Sequence, residues 1–213
     1  MSALAMYGAG LRATAAGRPG EWTLRYGDGT AAPLALGRWC GSLVDGDHHL
    51  LRQCAGATLD VGCGPGRLAA AAAWQGLPCL GIDVSATAVR LARARGVAAL
   101  LRSVFDRLPA EGRWQSVLLA DGNIGIGGDP VRLLTRVGAL LGAAGRILCE
   151  LDPPTAATRA VLVSIEDPLG ARSAEFGWAH VSAGDIGAVA AAAGLVQATS
   201  WEEAGRWFAV LVR

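Results

Sequence analysis

Between an apolar tetrapeptide and an alanine-rich run, the stretch LDVGCGPGRLAAAAAWQG at residues 59–76 carries three glycines in five positions. Gly62, Gly64 and Gly66 follow a predicted strand, Thr58–Val61, and lead into a predicted helix that starts at Arg67. Glycine reaches positive φ and has no β-carbon, so a ligand can lie against the main chain itself. The helix beyond supplies unpaired N–H groups and the positive end of its dipole. Such a loop suits a carboxylate, a pyrophosphate or a ribose. A dinucleotide fingerprint needs G-x-G-x-x-G, but Arg67 takes the place of its third glycine and the spacing is G-x-G-x-G. A P-loop is excluded because all 19 basic residues are arginine.

Around this loop, short apolar runs alternate with helical patterns. Thr58–Val61, Cys79–Ile82, Val97–Leu101, Ser116–Ala120 and Arg146–Leu151 read as buried strands. Ser85 caps one predicted helix and Gly96 stops it, while Asp129 and Pro130 open another that Gly142 closes. Ser182 to Asp185 reads as a capping box before a helix ending at Gly194. Alternation of this kind predicts a parallel sheet covered on both faces. Toward the C-terminus, Arg159–Ile165 and Phe176–Val181 flank a turn-rich segment, and Val196–Ser200 with Arg206–Val212 form a predicted hairpin. The first 45 residues have weak periodicity and read as a cap packed on the sheet.

With 213 residues, 52% of them hydrophobic, the chain reads as one globular domain. Within it, 1–50 is a cap, 57–154 the ligand-binding core, 155–182 a substrate-pocket segment and 183–213 a closing helix and hairpin. A net charge of +1 gives no long-range pull toward nucleic acid or an anionic membrane. Five cysteines without metal-ligand spacing point to reduced thiols, a cytoplasmic location and no bound metal. The sequence leaves the oligomeric state open.

LDVGCGPGRLA, followed by GIDVS at the end of the second strand, resembles the class I S-adenosylmethionine-dependent methyltransferases. The resemblance spans roughly residues 57–154. It implies a doubly wound, seven-stranded, mostly parallel α/β sheet with a C-terminal antiparallel hairpin. The implied cofactor is S-adenosylmethionine, with S-adenosylhomocysteine as product. Asp60 would organise the loop near the methionine amine. Gly62, Cys63, Gly64 and Gly66 would line the methionine and ribose, Asp83 would accept from the ribose hydroxyls, and Val84 would flank the adenine. Where many relatives carry an acid for the adenine amino group, this chain has Val104, leaving Ser103, Asp106 or the backbone to read it and Phe105 to pack on it. The Asn/Asp-Pro-Pro-aromatic motif of amino-methylating nucleic-acid enzymes is absent after the fourth strand. The DPP at Asp152–Pro154 reads as a loop, and no nucleic-acid or membrane partner is expected.

Ligands of an open α/β sheet gather at the strands' carboxyl ends, which places Asp121 and Asn123 at the chemistry. They either hold the acceptor or brace the glycine loop. A general base would favour histidine. His48 and His49 are candidates on a predicted short helix, and His180 with Phe176 and Trp178 is a candidate for the acceptor pocket. The expected function is methyl transfer to oxygen or nitrogen of a small molecule. The alternatives are a protein or peptide methyltransferase, a non-methylating binding subunit, and a nicotinamide-dependent oxidoreductase.

Overall fold

A computed structural model describes residues 1–213. Its main sheet is made of seven strands, buried on both faces at the centre and more exposed at the two edges. In chain order these are β3 (Thr58–Val61), β4 (Cys79–Asp83), β5 (Ala98–Leu101), β6 (Trp114–Leu119) and β7 (Leu141–Leu151), with the closing β10 (Val196–Glu203) and β11 (Arg206–Val212). The spatial order is β10-β11-β7-β6-β3-β4-β5. β3 to β7 pair in parallel, and β11 runs antiparallel to both β7 and β10. This is the expected seven-stranded doubly wound sheet with its hairpin.

Alternation along the strands divides the core. Val117, Leu119, Ile147, Cys149, Ala209 and Leu211 face α6 (Pro130–Leu140) and α7 (Ile186–Ala192). Leu118, Leu148, Phe208 and Val210 face α3 (Asp47–Arg52) and α4 (Arg67–Trp74), as a period of two requires. Two helix starts follow from their caps. Ser85 accepts from Ala88 N–H at the head of α5 (Ala86–Ala94), and Asp129 accepts from Arg132 N–H before Pro130 of α6. Two local expectations are corrected. Gly142 closes no helix, because β7 begins at Leu141 directly after α6. No capping box forms at Ser182–Asp185, because Ser182 Oγ is bonded to Gly184 N–H and turned toward the Pro153 and Pro154 carbonyls.

The weakly periodic N-terminus has more structure than a cap. After α1 (Ala3–Ala15) come β1 (Thr23–Tyr26), β2 (Ala31–Pro33) and α2 (Leu36–Cys40). β1 and β2 join β8 (Arg159–Glu166) and β9 (Phe176–His180) in a second, antiparallel sheet of order β2-β1-β8-β9. An Arg25–Glu166 ion pair fastens the β1–β8 seam, bonded through Nε at 3.1 Å and Nη2 at 2.7 Å. The chain thus brings residues from both ends together above the carboxyl edge of the main sheet. No helix is long and apolar enough to cross a membrane.

Candidate active site

The main sheet reverses its strand order at β3, with β4 on one side and β6 on the other. A crevice at the carboxyl ends is expected there, and a cavity of about 550 Å³ opens at that place. Its floor is the glycine loop after β3 and the turn after β6. Its roof is one face of the second sheet, with Leu24 and Tyr26 from β1, Ile165 from β8, and Phe176 and Trp178 from β9.

Gly64 is the barest point of the floor. Its φ is +53°, and a β-carbon there would meet nothing within 4 Å except the Tyr7 hydroxyl at 3.4 Å. The Gly64 N–H donates to Asp83 Oδ2 at 3.0 Å, and Ser85 N–H donates to Asp83 Oδ1 at 2.7 Å. A carboxylate has about four lone-pair sites, so Asp83 holds the loop and still has capacity toward the cavity it lines. Burial raises the Asp83 pKa against these backbone bonds. Asp60, Gly62 and Cys63 also line the cavity. Burial first, and then the charges of Asp121 and Asp83, lift the Asp60 carboxyl to a pKa of about 7. Val84, 49% exposed, presents an apolar surface at one end beside Ser103 and Val104. These residues meet as the sequence reading expects.

Other expected residues do not. Gly66 is absent from the lining. Its φ is +84° and its missing β-carbon would stand 2.9 Å from Ala92 Cβ, so this glycine lets α4 approach α5. Phe105 turns away, with the Arg132 guanidinium 4.5 Å over its ring. Asp106 is occupied by the Ser103 N–H at 3.0 Å. Cys63 fills space against Gly81, and burial pushes its thiol pKa far up, which leaves no thiolate nucleophile.

None of the three histidines lines the cavity. α3 buries Asp47, Leu50 and Leu51, and this i, i+3, i+4 face turns the two residues after Asp47 outward. His48 is exposed. His49 stacks on Trp201 with centroids 4.8 Å apart and bonds Glu203 at 2.9 Å. His180 extends the roof face beyond the cavity edge, where its Nδ1 lies 2.9 Å from Asp152 Oδ2 and its ring 5.6 Å from Tyr26.

Asn123 braces the loop, its Nδ2 donating to the Val61 carbonyl at 2.9 Å and the Gly62 carbonyl at 3.0 Å. Asp121, at φ +55°, is locked in a ring of alternating charge. Arg67 and Arg38 both bond its carboxylate. Arg38 also donates to Glu150 at 3.0 and 3.1 Å, and Arg206 forks onto Glu150 through two bonds of 2.9 Å. Arg206 and Arg67 then both reach Asp47, whose side chain is 0% exposed, and the ring closes. Burial would raise the Glu150 pKa, but the hydrogen bonds from Arg206 and the charges of Arg38 and Arg206 hold it below the usual carboxylate value. Sequence reasoning missed this ring, since its six members come from six separate stretches.

Tyr7 and Trp39 were also missed. They form an edge-on pair with centroids 6.0 Å apart and line the cavity from α1 and α2. Two of the glycines after Asp121, Gly125 and Gly128, serve the roof. A β-carbon at Gly125 would lie 2.1 Å from the Ala179 carbonyl oxygen, and one at Gly128 would lie 3.3 Å from Gly177. The 3₁₀ stretch Asn123–Gly128 is therefore bare so that β9 can settle on it.

Residues 58–144 match a family model described as a methyltransferase domain. No curated protein sequence matches significantly. Among solved structures, the chain is similar to an S-adenosylmethionine-dependent methyltransferase from Bacteroides fragilis in complex with S-adenosyl-L-homocysteine. The TM-score is 0.79 at 18% identity, over 97% of this chain and 93% of that one. It is also similar to the 1,6-didemethyltoxoflavin-N1-methyltransferase of Burkholderia thailandensis (TM-score 0.58, 18% identity, 78% and 76% covered). A sugar N-methyltransferase from a Streptoalloteichus species gives TM-score 0.58 at 18% identity, with 78% and 84% covered.

Proposed function

From a chain that has the class I S-adenosylmethionine-dependent methyltransferase fold and carries a methyltransferase domain over residues 58–144, we propose methyl transfer from S-adenosylmethionine to oxygen or nitrogen of a small molecule. The observation that carries this reading is the bare backbone at Gly64, open to the cavity and tied to Asp83. S-adenosylmethionine brings its methyl on a sulfonium, already activated. The chain's part is placement and exclusion of water. Asp60 holds the amine end, Gly62–Gly64 carry the main contact surface, and Asp83 takes the ribose hydroxyls. Val84, Ser103 and Val104 enclose the adenine. Asn123 and the charge ring keep this floor rigid, and the roof closes over it. We place the protein in the cytoplasm, where its five free cysteines stay reduced.

The test is a thermal-shift comparison of S-adenosylhomocysteine, NAD and ATP. At about 100 times Kd a ligand adds roughly 2.7 kcal/mol, which for this size is a shift of about 5–10 °C. S-adenosylhomocysteine alone is expected to give it. A shift with NAD alone would sink the reading.

Asp60 makes binding depend on pH. Its folded pKa of about 7 lies above the unfolded value of about 3.9. Its contribution to fold stability is therefore full below the unfolded value and is lost as pH rises through 7. The ligand ammonium favours the carboxylate, so binding must expel a proton below pH 7. Affinity for S-adenosylhomocysteine is expected to fall between pH 7 and 5.5, approaching tenfold per unit. Titration calorimetry in that range checks it, and a flat profile would place the amine elsewhere.

A further inference from the structure

The part of the cavity away from the glycine loop differs in chemistry from the part around it. No charged residue lining the cavity belongs to the roof. Asp60 and Asp83 stand under and behind the loop. Arg67 and Asp121 are neutralised within the ring. Arg102 follows the end of β5 beside Ser103 and Val104, with its side chain exposed to solvent. The roof supplies Leu24, Ile165, Phe176 and Trp178, while Trp39 and Ile126 come from α2 and the 3₁₀ stretch. Its polar side-chain groups are the Tyr26 hydroxyl and the indole N–H groups of Trp39 and Trp178, while the Tyr7 hydroxyl stands over Gly64. Burial raises both phenol pKa values, with Asp83 adding to the effect at Tyr7 and Asp152 at Tyr26. Both therefore remain protonated donors at neutral pH and neither serves as a base.

From this we infer that the acceptor is a neutral, planar aromatic molecule that brings its own acidic or lone-pair nucleophile, a phenolic hydroxyl or a ring nitrogen. This inference rests on the methyl-transfer reading and narrows it. An aliphatic amine arrives protonated and finds neither a free carboxylate to receive it nor a base to deprotonate it. A sugar would bury several hydroxyls against aromatic rings with too few partners. A lysine or arginine side chain of a protein would bury a charge with no counterion. A flat apolar body instead packs against the edge-on pairs Phe176–Trp178 and Tyr7–Trp39, whose centroids lie 6.3 and 6.0 Å apart. In the transfer, the acceptor oxygen or nitrogen forms a bond to the methyl carbon as the carbon–sulfur bond breaks onto sulfur. A phenol releases its proton to water.

The experiment uses the full chain saturated with S-adenosylhomocysteine and titrates it by calorimetry with three planar probes, 7-hydroxycoumarin, 1-naphthol and 8-hydroxyquinoline. Glucosamine and an arginine-lysine peptide are the comparisons. At least one planar probe is expected to bind, and the comparisons are not. Trp178→Leu is expected to weaken that probe about tenfold or more while S-adenosylhomocysteine affinity stays within twofold, which also reports that the variant is folded. Binding of glucosamine or the peptide, or failure of all three planar probes, overturns the inference. Failure of S-adenosylhomocysteine itself to bind overturns the methyl-transfer reading and this one with it. A second arm follows methyl transfer to 7-hydroxycoumarin and to its more acidic 6,8-difluoro derivative. The pH of half-maximal kcat/KM is expected to move with the phenol's own pKa. A profile identical for both phenols, or no turnover of either, overturns the assignment of the nucleophile.

Discussion

Gly64→Ala is expected to leave the protein folded and to remove detectable binding of S-adenosylhomocysteine. Two effects of the added methyl separate cleanly. At φ +53° an alanine strains the backbone, by about 1 kcal/mol. That corresponds to a drop of about 2–4 °C in Tm for a domain of this size. The methyl also enters the space in which the ligand must lie. Overpacking costs of about 1–3 kcal/mol set the lower bound for that loss, about fivefold to 150-fold in affinity. Gly76→Ala is the matched control. Its φ is +82° and its β-carbon would also meet nothing within 4 Å, but it lies in the turn after α4, outside the cavity lining. Equal losses of Tm with loss of binding only at Gly64 are the expected pair. Normal binding by Gly64→Ala would mean that no ligand touches that backbone.

The largest loss of stability is expected from Glu150→Ala. Glu150 is 8% exposed and accepts from Arg38, Arg206 and the Asp121 N–H. Its removal leaves two guanidinium groups in the ring with one carboxylate partner each. Breaking a buried ion pair from one side costs about 3–5 kcal/mol, or about 6–20 °C in Tm. Removing Glu203, which is more exposed and pairs with His49 at the surface, should cost under about 1 kcal/mol. Thermal melts of the two variants decide the matter. Equal, small losses would show that water screens the ring as it does a surface pair.

The centre of the main sheet was legible because β3 and β6 are nearly unbroken buried runs. Thr58–Val61 is buried at every position, and Ser85 and Asp129 mark helix starts with side chains that do bond the backbone. The second sheet was not legible. β1 and β2 are four and three residues long, and none of their residues is fully buried, so no alternation appears. Around the site, Asp60, Gly62, Cys63, Gly64, Asp83, Val84, Ser103 and Val104, which the family resemblance singled out, line one cavity. His48 and His49 fall outside the cavity because the neighbouring Asp47 is the residue that turns inward. Gly66 misled in another way. A glycine that admits a second piece of backbone or a helix looks the same in sequence as one that admits a ligand.

The seam between β1 and β8 has a kinetic consequence. Its Arg25–Glu166 pair joins residues 141 apart, whereas the Gly64–Asp83 bond of the floor spans 19. Closing the longer loop carries the greater entropic cost and waits on more of the chain. The cavity floor is therefore built from early, local contacts, and its roof from contacts made late. During synthesis on the ribosome, β1 can pair with β2, but its other edge must wait until β8 has emerged. A nascent chain of this protein holds the makings of its donor site well before it can recognise anything to methylate.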